Sequence, residues 1–443
     1  MASALRTLLR LFLRVFFRRI ETNGRDRVPR QGPLLLVLNH PNALIDPLFV
    51  LCLAPRPVSF LAKAPLFRTP VVSWFVRAFG SIPVERRIDP GADLNRNREM
   101  FARVRRHLSA GGAVALFPEG TSHSDPRLRP LKSGAARIAL GVQSAEPLRI
   151  QPVGLVYTAK ETFRSSALVA FGDPFTVMPA PLDDHGEPPA AEVERLTARI
   201  THALAALTLE ADEAEVLELV RRTDAILASA AADGEEAAAS PERVELRRRL
   251  LAGHANLAAR APERLERLRR RVFRYEARRI GAGIDPWDLP EGGYTIGGVI
   301  TATVRLFSRF ALLLPLGLPG LALHYPAYWL VGVLTGRIGP REREALATVK
   351  ALAAFLLFPL TWTLIVVLAW RGWGPLAGGA AMLLAPLTGW MALRLTELWD
   401  EVVGAARALT LYALGRRRFV HLQAERRAIR AELGHIAAEL EQV

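Results

Sequence analysis

The chain has 443 residues, half of them hydrophobic, and carries a formal charge of +15 from 58 Lys and Arg against 43 Asp and Glu. That apolar content excludes a disordered chain, and the basicity points to an anionic partner: a membrane surface, a nucleic acid or a phosphorylated substrate. The single cysteine, Cys52, excludes an intrachain disulfide and cysteine-built zinc or iron–sulfur sites.

Within residues 1–30, Arg6, Arg10, Arg14 and Arg18 recur every fourth residue among Leu, Phe and Val. The spacing predicts a helix with one slowly winding basic stripe. Such a helix suits the headgroup layer of a membrane, with its arginines reaching lipid phosphates; an ordinary packing helix is the alternative. The arginines interrupt any signal-peptide core, and no small-residue cleavage site follows.

From 31 to 180, short apolar runs alternate with helical stretches. Leu34–Leu38, Val58–Leu61, Ala113–Phe117, Ile150–Tyr157 and Leu168–Phe171 read as strands, and Asn97–Leu108 and Ser133–Val142 as helices. Continuous apolar strands with helices between them predict an α/β domain whose mostly parallel sheet is covered by helices. Residues 181–294 read as a charged α-helical insert with a linker near Ala232–Ser240. The clusters Arg247–Arg249 and Arg269–Arg271 are expected on solvated helix faces.

Residues 295–400 hold three stretches free of Lys, Arg, Asp and Glu: Phe310–Gly336, Ala351–Trp370 and Gly372–Leu393. A helix crosses about 30 Å of hydrocarbon with about 20 residues. The second and third stretches, parted by Arg371, predict a transmembrane helical hairpin. Arg337, Arg341, Arg343 and Lys350 flank one end, and Arg394, Arg407 and Arg416–Arg418 the other, which predicts cytoplasmic ends. Phe310–Gly336 contains Pro315, Pro319 and Pro326. A third crossing would put its flanks on opposite sides, so a re-entrant or protein-packed segment is expected there. Residues 401–443 read as charged helices.

The chemistry begins at Leu34–Leu38, which runs into Asn39-His40-Pro41 and then Asp46. A histidine at the carboxyl end of such a strand stands where α/β sheets form sites, and its pKa suits proton transfer near neutrality. A carboxylate six residues on can orient the ring if the chain turns between them, which Pro41, Asn42 and Pro47 favour. The histidines show no metal-ligand spacing.

Three further blocks follow: Gly80-Ser-Ile-Pro-Val-Glu-Arg86, Phe117-Pro-Glu119-Gly120-Thr-Ser-His123, and Gln151-Pro152-Val153-Gly154. With these four blocks, residues 20–180 resemble the glycerolipid acyltransferase family, which includes lysophosphatidate and glycerol-3-phosphate acyltransferases. The stretch from Phe117 through Leu131-Lys132-Ser-Gly134 most resembles the branch of fungal glycerol-3-phosphate and dihydroxyacetone-phosphate acyltransferases. Five residues separate His40 from Asp46 where the commonest family pattern has four, a spacing that branch shares. Ser122 stands where lysophosphatidate acyltransferases often have Arg.

The resemblance implies an α/β acyltransferase domain at 31–180, joined to the helical insert and a transmembrane helical region. It implies transfer of a fatty acyl group from acyl-CoA or acyl-carrier protein to a hydroxyl of glycerol-3-phosphate or its 1-acyl derivative. His40 would be the general base and Asp46 its orienting group. Arg86 would hold the acceptor phosphate, since guanidinium grips phosphate through two oxygens. Glu119 and Gly120 are expected at the acceptor site, with Lys63 and Lys132 as further phosphate candidates. Backbone N–H groups at Val153 and Gly154 are expected to meet the oxyanion. No cofactor or metal is expected, and no serine forms a nucleophile elbow. His123 is expected to be structural or solvent-facing. The partners expected are membrane lipids, the acyl donor and the acceptor rather than nucleic acid, with the catalytic domain on the cytoplasmic face. A silent membrane-remodelling scaffold and a thioesterase are the alternative readings.

Overall fold

The computed structural model describes residues 2–43, 45–68, 72–84, 95–159, 162–228, 240–286, 289, 294–336 and 343–441. Two compact units are present: residues 1–214 with 238–244 and 341–348, and residues 215–237 with 245–340 and 349–443.

The first unit contains, in order, α1 (Ala2–Phe16), β1 (Arg19–Asn23), β2 (Leu34–Leu38), α2 (Ile45–Leu53), β3 (Ser59–Lys63), α3 (Val72–Ala78), β4 (Ile82–Val84), α4 (Asn95–Ser109), β5 (Ala113–Leu116), α5 (Gly134–Leu140), β6 (Leu148–Tyr157), β7 (Ser166–Phe171), β8 (Phe175–Val177) and α6 (Ala190–Ala205). The strands form one sheet in the order β1-β7-β6-β2-β5-β3-β4, with β8 also on β6. Pairing is parallel except where β6 meets β7 and β8. The central strands β2 and β5 are buried at every position, so both faces of the sheet are covered. On one face Val104, Leu108, Ile138, Ile200 and Leu204, from α4, α5 and α6, pack against Leu35, Val37, Val114 and Ile150.

Leu5, Leu9, Leu13 and Phe16 of α1 recur at three- and four-residue spacing and are buried. Arg10 Nε of α1 donates to the Cys52 carbonyl of α2 at 2.9 Å. The apolar stripe of α1 is therefore used by its own domain. For this stripe the packing-helix alternative is the one the structure shows. Leu8 and Leu11 remain exposed beside Arg10 and Arg14.

The second unit is helical. It takes in α7 (Ala214–Ala228), most of α8 (Pro241–Arg260), α9 (Pro262–Gly281), α10 (Ile296–Gly336), most of α11 (Arg343–Trp373), α12 (Pro375–Leu414) and α13 (Arg416–Glu441). One core joins Leu219 and Ile226 of α7, Leu268, Val272 and Tyr275 of α9, Ala408 of α12, and Phe419, Leu422 and Ile429 of α13. Arg247 is a correction to the solvated-face expectation. It is buried and donates from Nε to buried Asp224 at 2.8 Å. A buried guanidinium needs such a partner, because an unpaired charge there is costly. The linker residues 232–239, with Arg337 and Arg341, lie outside the described residues.

Three helices are long and apolar enough to cross a membrane: Ile296–Gly336, Val349–Trp373 and Pro375–Leu414. α10 runs unbroken through Pro315, Pro319 and Pro326, where the sequence predicts a re-entrant or protein-packed segment, and it is packed against protein. Neighbouring helices can make up for the missing N–H bonds of such prolines. α10 lies along α12, and Gly320 lets it approach the Thr388 carbonyl more closely than a Cβ would allow. His324 of α10 is buried. Its Nδ1 bonds the Gly320 carbonyl at 2.8 Å, and Trp362 Nε1–H of α11 donates to its Nε2 at 2.9 Å.

Candidate active site

The parallel arrangement of β2, β3, β4 and β5 lines up their carboxyl ends on one edge of the sheet. His40 follows β2, Lys63 ends β3, and Glu119 follows β5. In open α/β sheets ligands bind at this edge. Arg86, two residues beyond the end of β4, lies outside the described residues.

His40 and Asp46 meet because the chain turns at 41–43 and starts α2 at Ile45. The Ile45 and Asp46 amides both donate to the Asn42 carbonyl, at 3.0 and 3.1 Å. His40 Nδ1 then lies 2.8 Å from Asp46 Oδ2, which also accepts the Asn42 N–H at 2.7 Å. Tyr157, the last residue of β6, donates its hydroxyl to Asp46 Oδ1. Asp46 is fully buried, 0% exposed, so its charge depends on these three donors. Burial, followed by the Asp46 charge and hydrogen bond, pushes the Tyr157 phenol well above its usual range and keeps it a donor.

The His40 ring stacks on Phe117 with centroids 3.8 Å apart, and Phe117 stacks in turn on Phe60. With Nδ1 turned to Asp46, the other nitrogen, Nε2, is the one that can take a proton. Asn39, one residue earlier, extends the pairing of β2 with β6. Its Oδ1 accepts the Leu155 N–H at 2.7 Å, and its Nδ2 donates to the Leu155 carbonyl at 3.0 Å.

Glu119 is 2% exposed and fully engaged by protein. Oε1 accepts the His40 backbone N–H at 2.9 Å. Oε2 accepts the Arg129 N–H at 2.9 Å and bonds the His123 Nε2. The His123 N–H returns a bond to the His40 carbonyl at 3.1 Å. The structure thus gives Glu119 a different role from the acceptor-binding one: it clamps the loop after β2 to the loop after β5. His123 is buried within this clamp, so the structural reading of it holds and the solvent-facing one does not.

Gly120 has φ +77, in the left-handed region, and the Lys132 side chain lies over the space a Cβ would fill. Glycine is required there on both counts, and Lys132 is brought to the same turn as Glu119. Val153 and Gly154 lie inside the β6 ladder, in register with Phe171 and Ala170. Gly154 packs tightly on the Leu207 backbone after α6. The expectation of oxyanion donors there is corrected to a place in the sheet, where strand pairing occupies the backbone.

Cys52 is buried in α2, and burial pushes its thiol up to about 11. It is therefore protonated near neutrality and a poor nucleophile. Tyr157, Asn39 and the clamp role of His123 were absent from the sequence reading. The one signal for Tyr157 was its place at the end of the strand that carries the last motif block.

Residues 19–156 match the family model described as Acyltransferase, so the domain built around His40 is an acyltransferase domain. An uncharacterised acyltransferase of Schizosaccharomyces pombe is 25% identical over 82% of this chain and 67% of its own length. Glycerol-3-phosphate O-acyltransferase 2 of Saccharomyces cerevisiae is 28% identical over 62% of this chain and 39% of its own. A chloroplastic 1-acyl-sn-glycerol-3-phosphate acyltransferase of Brassica napus is 29% identical over 32% of this chain and 39% of its own. The chain is thus similar to glycerolipid acyltransferases over its first unit, and it spans well under half the length of the last two relatives.

Proposed function

We propose that this protein is a membrane-bound glycerolipid O-acyltransferase that moves a fatty acyl group from the thioester of acyl-CoA or acyl-carrier protein to a hydroxyl of glycerol-3-phosphate. The observation that carries the reading is the His40–Asp46 pair at 2.8 Å with Nε2 turned away from the carboxylate. His40 Nε2 takes the hydroxyl proton as the oxygen attacks the thioester carbonyl, a contribution of typically ~10²–10⁴-fold. Collapse of the tetrahedral intermediate expels the thiolate, which takes the proton back from His40. Asp46 stabilises the imidazolium in between. Arg86 and Lys132 hold the acceptor phosphate. The inert Cys52 favours direct transfer over an acyl-enzyme.

Glycerol-3-phosphate is preferred as acceptor because the likeness to the yeast enzyme runs past the catalytic domain, and that to the plant enzyme does not. The three apolar helices support a membrane setting. The arginines at the N-terminus and after α12 support a cytoplasmic catalytic face. The test is the purified full chain in nanodiscs with acyl-CoA and labelled glycerol-3-phosphate, 1-acylglycerol-3-phosphate or dihydroxyacetone phosphate. Acylated glycerol-3-phosphate is the expected product. Thiol release without acylated product would make the protein a thioesterase, and no thiol release at all would make it a silent scaffold.

A further inference from the structure

The Asp46 carboxylate is shared between two rings. Oδ2 faces His40 Nδ1, and Oδ1 faces the Tyr157 hydroxyl. The Tyr157 ring is fixed independently of that bond. Its centroid lies 5.8 Å from Phe17 and 5.9 Å from Phe49, and β6 is tied to the His40 turn through Asn39 and Leu155. The hydroxyl is therefore delivered to Asp46 by packing, on the side of the carboxylate opposite the histidine.

We propose that Tyr157 is a positioning residue that holds Asp46 Oδ2 on His40 Nδ1 and sets how strong a base His40 is. By donating to Oδ1 it draws negative charge away from the oxygen facing the imidazole. A carboxylate stripped of that donor concentrates its charge on the ring, stabilises the imidazolium more strongly and raises the pH at which His40 loses its proton. Tyr157 thus moderates the hold of Asp46 on the imidazolium. Asp46 on α2, Lys63 on β3, Tyr157 on β6, and Glu119, His123, Asp125, Arg129 and Lys132 after β5 are the described charged and titratable groups on this edge. Tyr157→Phe alters only the Asp46 contact, and the Phe ring preserves the packing on Phe17 and Phe49.

This inference rests on the general-base reading of His40, and the experiment separates the two. His40 is followed by NMR titration of selectively ¹⁵N-histidine-labelled full chain in nanodiscs, assigned with His40→Ala, which needs no turnover. In Tyr157→Phe the His40 midpoint is expected to rise by about half to one pH unit. The acid limb of kcat/KM for acyl transfer is expected to move upward by the same amount, with acceptor KM unchanged and activity recovered at higher pH. Asp46→Asn, the companion variant, is expected to move the midpoint the other way. An unmoved midpoint in Tyr157→Phe with an equal activity loss at every pH would overturn the proposal and leave Tyr157 a packing residue. A shifted midpoint in a protein that acylates none of the acceptors would uphold Tyr157 and sink the functional reading instead.

Discussion

Glu119 holds His40 by the backbone and leaves its ring alone. The carboxylate accepts the His40 N–H at 2.9 Å on one oxygen, while the other oxygen takes the Arg129 N–H at 2.9 Å and the His123 ring. His40 is thereby fixed from two sides by two different acids. Asp46 orients the imidazole, and Glu119 fixes the strand end that carries it.

His40→Ala should abolish acyl transfer while folding is retained, since the ring stacks on Phe117 and contributes no backbone bond. Asp46→Asn should cut kcat severely, because the amide cannot supply the charge that stabilises the imidazolium. Circular dichroism with a thiol-release assay checks both. Turnover near the wild-type rate in His40→Ala would remove the general base from this site.

Glu119→Gln replaces an acceptor-only group by one with an NH₂ end. Whichever way the amide turns, it sets a donor against a donor: the His40 N–H on one side, or the Arg129 N–H on the other. The expected cost is about 1–3 kcal/mol of stability, seen as a lower Tm in thermal melts, with kcat reduced by loosening of the His40 turn. An unchanged Tm with a raised acceptor KM would return Glu119 to the acceptor site.

Arg86→Ala should raise the acceptor KM several-fold with little change in kcat, because a phosphate contact present in both ground and transition states is uniform binding. Steady-state kinetics against glycerol-3-phosphate at fixed acyl-CoA checks it. A raised donor KM with a normal acceptor KM would move Arg86 to the thioester side.

Gly320→Leu should separate α10 from α12. The new side chain would meet the Thr388 carbonyl and Ala392, and overpacking of this kind costs about 1–3 kcal/mol. Thermal melts in detergent should show a lower midpoint. Gly332→Leu on the same helix, where nothing lies near the added Cβ, should not.

The catalytic sheet was legible because β2, β5 and β6 are continuous apolar runs, and His40 and Asp46 because a short turn brings near neighbours together. β1, β4 and β8 were not, being short, with β1 (RIETN) largely polar. Tyr157 reaches Asp46 from 111 residues away, and no local pattern encodes that approach. Glu119 was recognisable as a residue of the site. Its role was not, since a carboxylate in a motif does not reveal that both its oxygens are already taken. The continuity of α10 was not legible, because a proline looks like a breaker when the helix packed beside it is out of view.

The joining of α9 to α13 constrains the path of the chain between them. These helices share the core around Val272 and Phe419, and Arg264 pairs with Glu432 at 2.7 Å. They are also the segments that enter and leave the apolar stretch. A chain that starts and finishes on one side of a bilayer crosses it an even number of times, whereas three helices are long enough to cross. α10 and α12 run antiparallel, with Arg309 beside Glu401 near one end and His324 beside Gly389 further along. α11, the most apolar of the three, meets α10 through Trp362, whose Nε1–H donates to His324. In a Cys52→Ser background, single cysteines before α10 and after α12 should react with an impermeant reagent from the same face of sealed vesicles, and opposite faces would break this count. With both flanks on one face, one of the three long apolar helices would sit in the bilayer without carrying the chain across it.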